Sequence, residues 1–321
     1  MKKSFKLFLA AAFLVTEFFV VALPLMITSA KADGHPIQAI THAGFGGGTD
    51  VTTRMMLLRT RRYLKQDMQL VNKKGGGGAA SMDYMMTLPA DGQHTLTWTT
   101  GHAVSMALGK TKVKLSDMQP LARGTDDPQL FVVNCKNEIK DAKKFISAQK
   151  SKSLKYGTTH VGGIDDVSAI AFTKKGKLTD PTIVPYKGVG PIKTNLIKGD
   201  IDVGVLNLGE AVTEIEDGTL CVSVVLASNR MEKLSNVPTA TELGIPVVLS
   251  TVRGFVTRKG VPADRKKQLE DAMIKAMEHK YFQSFLTDIG LDSTSVVGAD
   301  EWGKQMEVML AEMTAQLKAL G

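Results

Sequence analysis

Seven consecutive residues, Gly44, Phe45, Gly46, Gly47, Gly48, Thr49 and Asp50, form a tight glycine loop between an apolar run and a helical one. Backbone N–H groups at a helix start lack internal acceptors, and the helix dipole favours an anion there. Glycines let the backbone take positive φ and come close to a ligand. The loop is not a P-loop, because no Gly-Lys-Ser/Thr follows, and the G-x-G-x-x-G spacing fails in both registers. A carboxylate or similar small oxyanion therefore suits it better than a nucleotide. A plain turn with Thr49 or Asp50 as helix N-cap is the alternative.

Three further loops invite the same reading. Glycines 75–78, behind Asn72, Lys73 and Lys74, read either as a second anion loop or as a flexible connection. His160, Gly162 and Gly163 offer a backbone nest. Tyr186, Lys187 and Gly188 bring a phenol and a cation, or a solvated turn. Catalytic and metal chemistry is poorly supplied. The histidines at 35, 42, 94, 102, 160 and 279 never pair at i, i+4, and His-Glu-x-x-His, Cys-x-x-Cys and Gly-x-Ser-x-Gly are all absent. No catalytic residue, metal or cofactor is assigned. Asp126-Asp127 and Asp165-Asp166 are the acid–base candidates, although adjacent carboxylates ordinarily lie in exposed loops or helix starts.

Such loops need a strand to end at them and a helix to leave from them. Strand-like runs at 37–42, 68–71 and 95–99 alternate with helical stretches at 51–64, 80–88 and beyond His102. After a change of composition over 121–128 the alternation resumes. Strands are predicted at 130–133, 155–157, 182–185 and 200–205, with helices at 141–149, 167–172 and up to Lys198. Residues 264–286 and 300–320 read as long amphipathic helices. The alternation predicts an α/β fold of two lobes, each a mainly parallel sheet flanked by helices, with the ligand cleft between them. Residues 33–128 and 229–321 would form the first lobe and 129–228 the second. Crossings near Pro128 and Ser228 would permit a hinge.

The chain of 321 residues is 43% hydrophobic and carries a formal net charge of +8, an ordinary globular composition. Aromatics, at 6%, are too few for a nucleic-acid stacking platform, and Arg59, Arg61, Arg62 and Lys65 read as a solvated helix face. No nucleic-acid partner is expected; a modest positive field would instead draw anionic solutes to a cleft. Residues 1–32 read as a secretory signal, with Lys2, Lys3 and Lys6, an apolar stretch and Ala30-Lys31-Ala32 as cleavage site. Export to an oxidising compartment permits Cys135 and Cys221 to pair; two separately buried thiols are the alternative.

Taken in order, six motifs resemble the periplasmic solute receptors of tripartite tricarboxylate transporters, the Bug family. They are Gly46 to Asp50 with Arg54, the stretch from Asn72 to Gly78, Lys155-Tyr156-Gly157-Thr158, Pro185-Tyr186-Lys187-Gly188, Gly199-Asp200-Ile201-Asp202, and Val237-Pro238-Thr239 with Glu242-Leu243-Gly244. The resemblance spans the chain from Gln38 onward. It implies a periplasmic-binding-protein-like receptor, monomeric, that closes on a small organic carboxylate and delivers it to membrane permease subunits. It also implies ligand contacts from the first loop with Thr100, Gly101 and His102, and from Thr158, Thr159, His160, Tyr186, Lys187, Gly188 and Asn207. In many relatives the second-lobe loop reads Gly-Ser-x-Gly-x-Gly-Ser-x-x-His. Here His160 replaces a Gly, Gly163 the second Ser and Asp166 the His. An inward Asp165 or Asp166 would suit an amine or hydroxyl on the ligand; the alternative is that Asp165 caps its helix. The competing readings are an ABC-type bilobal receptor for another small anion or amino acid, and a periplasmic α/β enzyme using Asp165 or His160. The latter lacks a nucleophile–base pair.

Overall fold

A computed structural model describes residues 35–159 and 161–320. Residues 1–32, read from the sequence as a secretory signal, and the site candidate His160 lie outside the described residues. The chain begins β1 (Ile37–Thr41), α1 (Gly48–Leu64), β2 (Met68–Asn72), α2 (Ala79–Met86), β3 (His94–Thr99), α3 (Thr100–Ala107) and β4 (Met118–Pro128). It continues with β5 (Leu130–Asn134), α4 (Ala142–Ser151), β6 (Lys155–Thr158), α5 (Ile164–Lys175), β7 (Thr182–Pro185), α6 (Val189–Lys198), β8 (Val203–Leu206), α7 (Leu208–Glu216) and β9 (Leu220–Val225). It ends with β10 (Ser250–Arg258), α8 (Ala263–Glu278), α9 (Lys280–Asp288), β11 (Val297–Gly298) and α10 (Ala299–Leu320).

The strands form two sheets, ordered β11-β4-β10-β3-β1-β2 and β7-β6-β8-β5-β9. Each has a parallel half, in which β1 pairs with β2 and β3, and β6 with β7 and β8. The other half of each is antiparallel: β10 with β3 and β4, β11 with β4, and β5 with β8 and β9. The two-lobed α/β architecture stands, but the sheets are mixed, not mainly parallel. The reason lies at the junction. Gln129 alone separates β4 from β5, so the chain passes straight from one sheet to the other with no crossover helix to turn it.

Two chain segments cross between the sheets, and they are bonded to one another. Gln129 N–H donates to Leu249 O at 3.0 Å, Leu226 N–H to Gln129 O at 2.9 Å, and Leu249 N–H to Leu226 O at 2.9 Å. The buried Gln129 side chain adds a bond from Nε2 to Thr251 Oγ1 at 2.6 Å.

The core of the second sheet centres on Phe131, whose ring meets Phe172 at 4.9 Å and Tyr156 at 5.5 Å, all three buried. Such edge-on contacts between desolvated rings add to the burial gain. On the first sheet, Trp302 of α10 meets Trp98 of β3 at 5.7 Å. Gly254 of β10 makes room for it, since a side chain there would begin 2.3 Å from the Trp302 ring.

The strands β4, β9 and β10 were not anticipated. Pro120, Gly124 and Pro128 give β4 a loop-like composition, and β10 interleaves Arg253, Gly254 and Arg258 with its apolar residues. The helix expected over 264–286 is two, because His279 takes an extended conformation at ψ 142° and its Nδ1 accepts the Tyr281 N–H.

Cys135 and Cys221 are joined by a disulfide with Cα atoms 5.0 Å apart, fastening the end of β5 to β9. The bond closes a loop with a sequence separation of 86, so chain entropy gives it roughly 4 kcal/mol. The Cys135→Ser/Cys221→Ser protein should therefore unfold in urea with about that much less stability than the oxidised wild type. Thiol counting under denaturing, non-reducing conditions should return none for the exported protein; two free thiols would contradict the bond.

Candidate functional site

Gly46 adopts φ +74° and Gly47 is the N-cap of α1, with no side chain to cap the helix. The first-turn N–H groups of Gly48 and Thr49 are thereby left to outside partners. Asp50 braces the loop from within. Its Oδ2 accepts the Gly46 N–H at 3.0 Å and Arg54 Nε at 2.9 Å. Burial pushes the Asp50 carboxyl up, but the Arg54 bond, the Gly46 N–H and the charge of Lys74 outweigh it and hold it below the usual carboxylate range.

The second sheet repeats the device. Gly162 has φ +68°, Gly163 is the uncapped N-cap of α5, and Asp166 Oδ2 accepts the Gly162 N–H at 2.6 Å. Both loops read Gly-Gly-x-x-Asp, at 46–50 and at 162–166. That internal repeat was the legible signal, and the loops taken separately conceal it. Asp165 turns the same way, its Oδ2 accepting both the Thr159 N–H at 2.9 Å and the Thr159 hydroxyl at 2.6 Å. Asp165 and Asp166 are thus buried braces, neither exposed nor helix caps. A third helix, α6, starts on Gly188 at φ +146°, again without a side-chain cap. Serine, threonine, aspartate and asparagine are the ordinary N-caps; glycine at all three leaves the amides open.

Other candidates hold the loops rather than line them. Thr100 is buried, its Oγ1 donating to Ser250 O at 2.8 Å and accepting the Val252 N–H at 2.9 Å, which locks α3 onto β10. Gly101 lies against the glycine turn, with Gly77 O 3.5 Å from where its side chain would begin. His102 is fully buried. Its Nδ1 accepts the Thr99 N–H at 3.0 Å, so Nε2 carries the proton and donates to Ser81 Oγ at 3.0 Å, which in turn donates to Gly78 O. Burial and the neighbouring His42 keep the imidazole well below its ordinary pKa, hence neutral. The relay ties α3 to glycines 75–78, whose φ values of +137°, +58°, +66° and +111° make them a packed turn and not a flexible connection.

Thr158 is buried at the end of β6, Tyr186 is half-buried against the β7–β8 side of the second core, and Lys187 is exposed. Phe45 and Val161, at 77% and 73% exposure, stand out from the two glycine loops. Asn207 is an inter-sheet stitch, its Nδ2 donating to Asp127 O at 2.9 Å and Pro128 O at 3.0 Å.

Sequence reasoning missed a buried charge cluster behind α1. Arg253 of β10 reaches Thr49 Oγ1 at 3.3 Å, Thr125 Oγ1 at 3.4 Å and Asp127 Oδ2 at 3.4 Å. Burial pushes the Asp127 carboxyl up to about 7; Arg253 opposes this, while Glu210 and Asp126 reinforce it. Glu210 of α7 is likewise raised by burial, against its bond from the Asn207 N–H. The pair Asp126-Asp127, read as exposed, is therefore half wrong: Asp127 is 3% exposed.

A cavity of about 790 Å³ opens elsewhere, lined by the crossing segment from Leu226 to Lys233 and by Arg123, Asp126 and Ser295. No glycine loop lines it. Its two arginines are committed, Arg123 to Ser295 O, Thr294 O and Gln305, and Arg230 to Glu242, while its lysine, Lys233, is exposed. The helix starts are the better site.

A family model described as "Tripartite tricarboxylate transporter family receptor" matches residues 52–319. The protein BugT of Bordetella pertussis is 27% identical over 220 residues, 66% of this chain and 66% of BugT. A TctC solute-binding protein from Polaromonas superposes with a TM-score of 0.77 at 24% identity, covering 88% of this chain and 98% of that one. MatC from Rhodopseudomonas palustris, solved with bound malate, gives 0.76 at 23% identity over 88% and 98%.

Two outcomes follow from the geometry. Gly46→Ala should cost about 1 kcal/mol in chemical unfolding, because φ +74° strains any L side chain although the space is open. The raised Asp127 carboxyl stabilises the fold most when protonated, below about pH 4, and that contribution is lost as pH rises through about 7. The difference in stability between wild type and Asp127→Asn should therefore change across that window and be flat on either side. A difference independent of pH would show that Asp127 titrates normally.

Proposed function

The chain belongs to the tripartite tricarboxylate transporter receptor family, and we propose on that footing that it binds a small organic carboxylate in the periplasm and hands it to the permease subunits of such a transporter. Members of this family are solute receptors, and receptor work needs binding and release without bond-making. The observation that carries the reading is the set of three helices, α1, α5 and α6, that begin on glycine with their first amides uncapped. Oriented N–H dipoles at a helix start attract a carboxylate and cost no rearrangement when it arrives.

In this reading residues 33–128 and 229–321 form one lobe and 129–228 the other, with Met231, Leu234 and Val237 of the returning segment still packed on the second core, and the signal is removed after Ala32. One ligand carboxylate meets the amides of Gly48 and Thr49, and the remainder faces Thr159, Tyr186, Lys187 and Gly188. Phe45 and Val161 close over it. Asp165 and Asp166 direct their Oδ2 atoms onto their own loop, while Asp166 Oδ1 is buried without a hydrogen-bond partner among the described residues, so an amine-bearing acid belongs in the test beside plain carboxylates. The malate bound by MatC supports an acid of that size.

A thermal-shift panel of malate, succinate, adipate, citrate, glutamate, phosphate and sulfate tests this. A carboxylate at a hundred times its Kd should stabilise the protein by roughly 2.7 kcal/mol. A shift by phosphate or sulfate alone overturns the carboxylate reading. Gly47→Val checks the α1 contact: its φ of −74° accepts a side chain, so the melting point should hold while calorimetric affinity drops about tenfold or more. Unchanged affinity removes α1 from the site.

A further inference from the structure

We propose that Arg253 is the buried cation a bound carboxylate meets beneath the first turn of α1, and that Asp127 is the counter-ion that takes up a proton when the ligand's charge arrives. The proposal rests on the carboxylate reading above and adds to it a residue pair outside the glycine loops.

The first support is position. The Arg253 side chain is 5% exposed, yet its Nη2 lies 2.7 Å from where a side chain on Gly48 would begin, and Gly48 itself is exposed. The guanidinium therefore sits directly under the solvent-facing helix start, in space that only glycine at 48 leaves open. Its three hydrogen bonds, all between 3.3 and 3.4 Å, use Nε and Nη1. They are long for charge-assisted bonds, which run closer to about 2.8 Å.

The second support is the surplus of acid. Asp127 faces Arg253 from β4 and Glu210 from α7, with Asp126 beside it on its own strand. Glu210 in turn feels Asp165 of α5, Arg253 and Lys193 of α6. The buried Asp127, paired with Arg253, and the half-buried Glu210 thus both feel one buried guanidinium. Asp127 Oδ1 is buried without a hydrogen-bond partner among the described residues, a costly state for a carboxylate and a cheap one for a carboxylic acid.

A ligand carboxylate above Arg253 brings a third negative charge to this low-dielectric cluster. Coulomb repulsion raises the proton affinity of the nearest acid. That acid is Asp127 and not Glu210, because Glu210 Oε2 keeps the Asn207 N–H, which favours its ionised form. Binding and protonation are then reciprocal: the ligand draws a proton in, and the proton tightens the ligand. Asp127 already titrates near neutrality, at about 7. The coupling accordingly acts above that pH, where the unliganded carboxyl is ionised.

The test uses the panel carboxylate with the largest thermal shift and needs no variant to begin. Calorimetry at about pH 7.5, in two buffers of different ionisation enthalpy, should report uptake of up to one proton per ligand. The Kd should weaken by up to about tenfold per pH unit above neutrality and flatten from about one pH unit below it. Asp127→Asn should abolish both the uptake and the slope, Glu210→Gln should keep them, and Arg253→Met should lower affinity at least tenfold and lose the uptake. Identical enthalpies in the two buffers for wild type, or an undiminished slope in Asp127→Asn, overturn the coupling while leaving the carboxylate reading intact. If no panel carboxylate binds at any pH, that reading falls and the coupling with it.

Discussion

Three backbone hydrogen bonds at one place tie together the two chain segments that cross between the sheets. Gln129, Leu226 and Leu249 bond in a ring, joining the only residue between β4 and β5 to both ends of the returning segment. The two sheets are also held together by a continuous hydrophobic cluster, with Trp98 and Trp302 on one side and Phe131 and Phe172 on the other, and the chain crosses between them at this joint. Asn207 reinforces it from α7 by holding the carbonyls of Asp127 and Pro128. Because β4 enters this joint directly, the Asp127 side chain on its inner face cannot reach solvent. Asp127 is trapped inside with Arg253, and that confinement sets the electrostatics beneath α1.

Above the joint, chemistry is delegated to amides. Ordinary helices spend a serine or aspartate side chain on their first turn; α1, α5 and α6 spend a glycine and leave that turn open. The acid that would have capped the helix has moved three residues inward. Asp50 and Asp166 reach back to the glycine of positive φ, so the loop is rigid before any ligand comes. Preorganised donors lose little entropy on binding, and the binding energy is kept for recognition.

Much of this was legible. The apolar runs at 37–41, 130–133 and 182–185 are short and sharply bounded, so strands and the loops behind them could be placed from periodicity and glycine alone. β4 and β10 could not. Their apolar alternation is broken by Pro120, Gly124, Asp126, Asp127, Arg253 and Arg258, and of those charges Asp127 and Arg253 are buried, as partners across neighbouring strands. Arg253 and Asp127 stand far apart in the chain, and no local window contains both. His102 misled for a related reason. The family resemblance implies a ligand contact there, whereas Thr99 N–H and Ser81 capture both ring nitrogens.

The all-glycine turn at 75–78 has a consequence for the order in which the molecule assembles. Four successive glycines lose more conformational freedom on ordering than any other sequence of that length, and nothing in their own side chains compensates. The compensation comes from Ser105, which donates to the carbonyls of Gly76 and Gly77, and from the His102–Ser81 relay to Gly78. Those groups stand on α3 and α2, so the turn has no reason to exist until both helices are in place. Its shape is imposed from outside, and its interactions are expected to form on the native side of the folding barrier. A substitution there should hasten unfolding while leaving the speed of folding almost untouched.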